Sequence, residues 1–384
     1  MKLAHSVQHL QPSYIREILK AASSPDIISL AGGLPAQEYF PLGLMESAIK
    51  NLVDHPRLFQ YGETIGYQPL ITFLKQLYKT REDDGLLVTS GSQQGLDLIA
   101  RAFINPGDKV VLETPSYIGA LQVFSLAQAD LITVSLTTCG PNTEELETLF
   151  AKGDVKFFYA IPDFHNPTGI SWDMATRKRV AELCAQYKVC LIEDCPYREL
   201  RFRGEELPLV SSLCPDHAFV LRSFSKIATP GIRIGAVTAL SEWINTLVKV
   251  KQAADLHTAI PMQHVLLELL SHEKFPEHIE QIRNVYGERC DALLNALDEK
   301  LSHLGKANPV DGGMFLWFAL NANIDPMRFA QNALKVGVAV VPSSVFYKQH
   351  HKHESSLRLN FSNTPPDKLQ KAVSRLSEIK VDSL

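Results

Sequence analysis

From residue 86 to residue 239 the chain repeats one pattern: a short run rich in β-branched and other apolar residues, a turn or polar cluster, then a stretch with helical periodicity. That alternation is the signature of βαβ units, and it restricts the chain to an α/β architecture with strands that run mostly parallel. The expected strands are 86–89, 109–113, 131–136, 155–161, 189–193, 219–222 and 234–239. Those at 155–161 and 189–193 are nearly continuous in hydrophobicity, as a strand covered by helices on both faces requires. From 241 to 300 the pattern turns helical, with prolines only at 261 and 276. A second strand-bearing unit follows at 314–320, 338–341 and 357–361, closed by a helix over 366–379. At 384 residues the chain exceeds one ordinary core. Two domains are expected, a large one over 40–280 and a smaller α/β one made of 1–39 with 281–384.

Several function classes fall away at once. Thirty-eight basic against 42 acidic side chains give a formal charge of −4, which offers no bulk attraction for nucleic acid or anionic lipid. No apolar stretch approaches the ~18–20 residues that cross a bilayer. The first twenty residues carry His5, His9, Arg16 and Glu17 and no uninterrupted apolar region, so a cytoplasmic location is expected. Six cysteines at 139, 184, 190, 195, 214 and 290 include no CxxC pair and read as reduced, mostly buried thiols. His350, His351 and His353 sit in a Lys/Gln/Glu-rich stretch without a second ligand cluster, which favours a solvated loop over a metal site. No G-x-G-x-x-G opens the first helix, so a dinucleotide is not expected.

In a parallel sheet, ligands bind beyond the carboxyl ends of the strands. The residues found there are Ser90-Gly91-Ser92-Gln93-Gln94-Gly95, Pro162-Asp163-Phe164-His165-Asn166-Pro167-Thr168-Gly169, and Ile192-Glu193-Asp194-Cys195-Pro196-Tyr197. Small residues before a helix let backbone N–H groups approach an anion, although a serine-capped turn would read the same way. Asn166, preceding a proline, is held extended, and Asp194 puts a carboxylate at a strand end, where a helix cap is the plain alternative. The last cluster is Arg222-Ser223-Phe224-Ser225-Lys226, followed by Pro230-Gly231-Ile232-Arg233-Ile234-Gly235. Two hydroxyls, a lysine and an arginine so close together exceed what a loop needs.

Taken jointly, these segments resemble the fold-type I pyridoxal-phosphate enzymes, specifically the class I and II aminotransferases, over nearly the whole chain. The resemblance implies a large domain with a mostly parallel sheet between helices plus a smaller α/β domain, and pyridoxal 5′-phosphate as cofactor. It puts Lys226 on the cofactor aldehyde, with Ser223, Ser225 and Arg233 near the phosphate alongside Ser92 and Gln93. It implies Asn166 and Tyr197 on the ring's 3-oxygen, Asp194 at the pyridine nitrogen, and Tyr117 of Thr114-Pro115-Ser116-Tyr117 stacked on the ring. Arg358 of Leu357-Arg358-Leu359-Asn360-Phe361-Ser362 would grip the substrate α-carboxylate, with Asn166 and Gly33 as further substrate contacts. The segments Ile28-Ser29-Leu30-Ala31-Gly32-Gly33-Leu34-Pro35 and Gln60-Tyr61-Gly62 are most similar to the 2-aminoadipate/kynurenine aminotransferase subgroup. That similarity implies a homodimer with composite sites, in which Tyr61 reaches the phosphate of the neighbouring subunit. Ser343 and Ser344 stand where the subgroup usually has a glycine, and Cys195 and Arg198 replace the common Asp and Gly around Pro196-Tyr197.

The chemistry of these residue types suits the implied roles of Lys226, Asp194 and Tyr197 as the catalytic set. A lysine able to lose its proton can serve as nucleophile and then as proton carrier. A carboxylate keeps a pyridine nitrogen protonated, and arginine's planar fork binds a carboxylate bidentately. The expected function is transfer of an amino group from an L-amino acid of 2-aminoadipate, aromatic or branched-chain type to a 2-oxo acid such as 2-oxoglutarate, by a ping-pong mechanism. A C–S β-lyase on the same fold is the alternative, and the sensor module of a transcription regulator a remote one.

Overall fold

The computed structural model describes residues 1–8, 18, 24–348 and 354–380. Their strands are β1 (Ile28–Ser29), β2 (Asp84–Thr89), β3 (Lys109–Thr114), β4 (Asp130–Thr137), β5 (Gly140–Pro141), β6 (Val155–Ala160), β7 (Cys190–Cys195), β8 (Ala218–Ser223), β9 (Gly235–Leu240), β10 (Gly305–Ala307), β11 (Phe315–Leu320), β12 (Val338–Ala339), β13 (Val341–Pro342) and β14 (Ser356–Asn360). Their helices are α1 (Leu42–Lys50), α2 (Gln68–Leu77), α3 (Ser92–Phe103), α4 (Ile118–Leu126), α5 (Thr143–Phe150), α6 (Met174–Tyr187), α7 (Ser241–Asp255), α8 (Ile260–Ser271), α9 (Phe275–Leu301), α10 (Pro326–Lys335) and α11 (Pro366–Leu376). None of these helices is long and apolar enough to cross a membrane.

Eight strands form one sheet in the order β2-β9-β8-β7-β6-β3-β4-β5. Pairing is parallel from β8 through β7, β6 and β3 to β4, while β9 runs antiparallel to both its neighbours and β5 to β4. The carboxyl ends of β2, β3, β6, β7 and β8 therefore share one edge, where β9 enters by its amino end. The continuous hydrophobicity of 155–161 has its explanation in β6. Phe157 and Tyr159 enter one buried cluster and Phe158 and Ala160 another, because successive side chains point to opposite faces of a strand. Pro261 and Pro276 fall in the first turns of α8 and α9, where the missing N–H has no intrahelical acceptor to serve.

The second sheet is antiparallel, in the order β10-β11-β14-β13. The expected strand over 338–341 is in fact two. Val338–Ala339 pairs parallel with Ile28–Ser29, whereas Val341–Pro342 turns to Arg358 and Leu357. Pro342 offers no N–H and ends the pairing. The closing helix stops at Leu376 rather than 379. Ser343 and Ser344 need no glycine, since neither has a positive φ; the Ser343 hydroxyl donates to the Glu354 carbonyl and accepts from the Ser356 N–H. Four of the six cysteines are buried and none is paired, while Cys139 is exposed. The histidines at 350, 351 and 353 lie outside the described residues.

The loop after β6 meets the second sheet at close range. Gly169 has φ +74°, and a Cβ there would lie 2.5 Å from the Phe315 carbonyl oxygen. The obstacle is main chain, so it cannot rotate away. Gly169→Ala is expected to destabilise the protein by about 2–4 kcal/mol through overpacking and a left-handed backbone, read as a lowered thermal midpoint; an unchanged midpoint would show that the two elements can separate freely.

Candidate active site

The shared strand edge opens into a cavity of about 430 Å³ lined by Gly33, Ser92, Gln93, Tyr117, Asn166, Asp194, Tyr197, Ser223, Ser225, Lys226, Arg233 and Arg358. Each element delivers its residue for a local reason. β2 ends at Thr89, and Gly91, at φ +88°, turns the chain into α3; a Cβ there would lie 2.4 Å from an Arg233 guanidinium nitrogen. Gly235 admits the same approach from the other side, its missing Cβ lying 2.6 Å from the Ser92 nitrogen. The first turn of α3 therefore presents its N–H groups beside Arg233. Arg233 donates to the Ser225 hydroxyl at 3.3 Å and to the Ser90 carbonyl at 3.1 Å. Hydroxyls, helix-start N–H groups and a guanidinium converge here into an anion corner.

The opposite end is set by a chain of hydrogen bonds across both sheets. Asn166 donates to the Tyr197 hydroxyl at 3.0 Å, and Arg358 donates to the Asn166 side-chain oxygen at 2.9 Å and to the Ala31 carbonyl at 2.6 Å. Arg358 is no edge-strand surface residue: it lies at 3% exposure on β14, between β11 and β13. The Phe315 and Phe346 rings flank its guanidinium at 4.4 and 5.0 Å. Burial pulls it down to about 10, so it remains cationic at neutral pH.

Between these ends stand Lys226 and Asp194. Lys226 Nζ donates to the Gly33 carbonyl at 2.8 Å. Burial, reinforced by the Arg233 and Arg358 cations, lowers its amine to about 8, so the neutral form lies within reach of neutral pH. Burial pushes Asp194 up to about 7, against the Tyr159 hydroxyl that donates to its Oδ2 at 2.8 Å. Its Oδ1 is buried with no hydrogen-bond partner. A buried carboxylate oxygen without a donor, on the wall of a cavity whose far corner binds anions, fits a protonated pyridine nitrogen. The residues present suit pyridoxal phosphate.

Tyr117 leads into α4, and its hydroxyl donates to Gln93 Oε1 at 3.2 Å while Gln93 Nε2 donates to the Gly119 carbonyl. The Gln93 side chain thus steadies Tyr117, leaving the main-chain N–H for an anion. Tyr61 is not brought to this cavity. It is 80% exposed in the single chain, with its ring against His257. Arg198 has a definite task, since it donates to Asp163 and Glu206 and to the Leu207 carbonyl. Tyr159 went unnoticed in the sequence because an aromatic residue in an apolar strand reads as core packing. Glu113 was missed too; its carboxylate accepts the Ile161 N–H and the Trp172 indole N–H and so ties both ends of the Asn166 loop to β3.

The family model for aminotransferase class I and II matches residues 25–376. An aromatic-amino-acid aminotransferase of Thermococcus litoralis is 37% identical over 382 residues, 96% of this chain and 91% of its own length. A 2-aminoadipate transaminase of Thermus thermophilus is 37% identical over 373 residues, covering 96% and 93%. A kynurenine aminotransferase of Pyrococcus horikoshii, solved in complex with PMP, superposes with a TM-score of 0.92 at 36% identity over 98% of this chain and 96% of that one. The chain belongs to the class I and II aminotransferases and is a pyridoxal-phosphate-dependent transaminase of fold type I.

Proposed function

We propose that the protein transfers the amino group of an L-amino acid of 2-aminoadipate, aromatic or branched-chain type to a 2-oxo acid such as 2-oxoglutarate. The observation that carries this reading is the pairing, in one cavity, of a lysine whose amine is lowered to about 8 with a buried arginine that remains cationic. The names of the relatives, which act on aromatic amino acids, 2-aminoadipate and kynurenine, support the donor class. A panel of donors with 2-oxoglutarate and with pyruvate, following the amino acid formed, tests it.

In this reading Arg358 takes the α-carboxylate of each substrate on its fork, with Asn166 and Gly33 beside it. Ser92, Gln93, Ser223, Ser225 and Arg233 hold the cofactor phosphate, Tyr117 lies against the ring, and Asn166 with Tyr197 serves its 3-oxygen. The bound cofactor supplies the aldehyde that accepts the amino group and the ring that draws electrons from Cα. Lys226 Nζ would take the proton from substrate Cα and deliver it to the former aldehyde carbon of the cofactor, so that Cα can become the 2-oxo carbon. Asp194 stays anionic opposite the ring nitrogen, because a cation beside it offsets the cost of burial. The working form is a cytoplasmic homodimer in which Tyr61 of one protomer completes the phosphate site of the other. The exposed Val53, Phe59 and Tyr61 on the same stretch of chain support that contact. The large domain is taken as 40–280 and the small one as 1–39 with 281–384, a division supported by the pairing of Ile28–Ser29 with Val338–Ala339.

Three outcomes follow from these roles. Lys226→Ala should abolish turnover and the cofactor adduct trapped by borohydride; an adduct on another lysine would refute the assignment. Arg358→Lys keeps a positive charge but loses the fork, so kcat/KM should fall about ten- to a hundredfold for acidic and aromatic donors alike. Loss confined to the acidic donor would assign Arg358 to the side chain instead. For Asp194, a folded value near 7 against an ordinary 3.8 means that the cofactor-free fold holds its proton more tightly than the unfolded chain does. Its stabilising contribution is complete below about pH 4 and is lost as pH rises through about 7. Asp194→Asn should remove that loss, so the cofactor-free variant gains on wild type with rising pH, by a few kcal/mol at most by order of magnitude. A difference in thermal midpoint that stays constant with pH would contradict the burial argument.

A further inference from the structure

The Tyr61 segment is anchored by a side chain that nothing above has used. The Gly62 N–H donates to His257 Nε2 at 3.2 Å, while His257 Nδ1 faces the Thr258 carbonyl at 3.0 Å. A carbonyl can only accept, so Nδ1 must carry the hydrogen; a main-chain N–H can only donate, so Nε2 must keep its lone pair. One neutral tautomer alone satisfies both contacts. The same imidazole meets the Tyr61 ring edge-on, with centroids 6.0 Å apart and planes at 84°. Ile260 closes the arrangement from α8, for a Cβ on Gly62 would lie 2.5 Å from its Cδ1.

His257 is rigidly mounted. Leu256 before it is held at φ +66°, and the Asp255 carboxylate before that accepts from Lys251 and from Gln94 Nε2. Gln94 Oε1 in turn accepts the Ser90 N–H, and the Ser90 carbonyl accepts from Arg233. The histidine is thus bolted to the anion corner of its own protomer while steering Tyr61, which points away from that corner's cavity. The titratable and charged groups on the elements around it are Asp54, His55, Arg57, Tyr61 and Glu63 on the stretch 54–63, Glu242, Lys249, Lys251 and Asp255 on α7, and His264 and Glu268 on α8. Asp255 is already committed to Lys251 and Gln94.

We propose that His257 is a positioning residue for Tyr61, holding the Tyr61–Gly62 backbone through a neutral imidazole, so that protonation of the ring releases the segment and weakens cofactor binding in the neighbouring site. This rests on the reading of Tyr61 as a contributor to the other protomer's phosphate site. Adding a proton at Nε2 sets N–H against N–H and removes the only acceptor offered to Gly62.

The test measures the cofactor dissociation constant and kcat/KM of the dimeric holoenzyme at pH ~5.5 and ~8 for wild type, His257→Gln, His257→Leu and Tyr61→Phe. Glutamine can accept from Gly62 at Oε1 without titrating. Wild type should lose about five- to tenfold more cofactor affinity on acidification than His257→Gln, in line with one lost hydrogen bond. His257→Leu should already be weak at the higher pH. Equal pH dependence in wild type and His257→Gln, with Tyr61→Phe impaired, overturns the inference alone. Tyr61→Phe with unchanged cofactor affinity overturns the reading of Tyr61 and the inference together. A measurement free of variants is the nitrogen NMR signature of His257: a hydrogen on Nδ1 at the higher pH, with conversion tracking the loss of affinity, supports the proposal, and a hydrogen on Nε2 refutes it.

Discussion

Everything in the cavity depends on a guanidinium that is almost entirely out of water. Arg358 joins three pieces of chain that are far apart in sequence: its own strand in the second sheet, Asn166 after β6, and Ala31 beyond β1. Removing such a charge from water is costly, and hydrogen bonds to two oxygens together with two flanking aromatic faces offset the cost. Its Nε remains buried with no protein acceptor. A donor left unsatisfied lowers stability unless a ligand completes it, and Arg358 lines the cavity. The contact that docks the second sheet on the first is thus also part of the cavity wall.

Charge in the cavity is unbalanced by construction. Lys226, Arg233 and Arg358 stand against Asp194 alone, and the two arginines help to push the lysine towards neutrality. In the proposed reading, a phosphate at the anion corner and a carboxylate at Arg358 would supply negative charge, and their arrival would restore basicity to Lys226. Asp194 works in the reverse sense. Its raised value reflects burial, and a cation placed at its free oxygen favours ionisation. Burial thus moves Lys226 and Asp194 in opposite directions, each towards its uncharged form.

What could be read from the sequence follows from one topological rule. Asn166, Tyr197 and Lys226 come after parallel strands and Asp194 stands next to last in one, and polar residues at strand ends declare themselves against an apolar background. Glu113 and Tyr159 hold the same next-to-last place in their strands as Asp194, so position alone does not separate an inward polar tip from core packing. The division of 338–341 between two partners was illegible for a related reason: four apolar residues look alike whether they pair with Ile28–Ser29 or with β14, and only the position of Pro342 hints at a break. The antiparallel course of β9 is a matter of connection length rather than composition. The setting of Tyr61 against His257 joins residues 196 positions apart, which no local pattern encodes.

Glu113 and His165 show how the fold separates groups that need charge from groups that need shape. Their side chains approach to 3.5 Å, yet burial pushes the acid up to about 8 and pulls the imidazole down to about 3. At neutral pH both are largely neutral, so the contact is no ion pair. The loop is held instead by the Ile161 N–H and Trp172 indole bonds to Glu113 and by the hydrogen bond of 2.9 Å between His165 Nδ1 and the Thr168 hydroxyl. A charged pair there would carry a desolvation penalty and would set a fixed field behind Asn166. A neutral pair fixes the same loop through directed hydrogen bonds and leaves the field at the cavity to Lys226, Asp194, Arg233 and Arg358. That division lets the loop be rigid without biasing the protonation of the groups it presents.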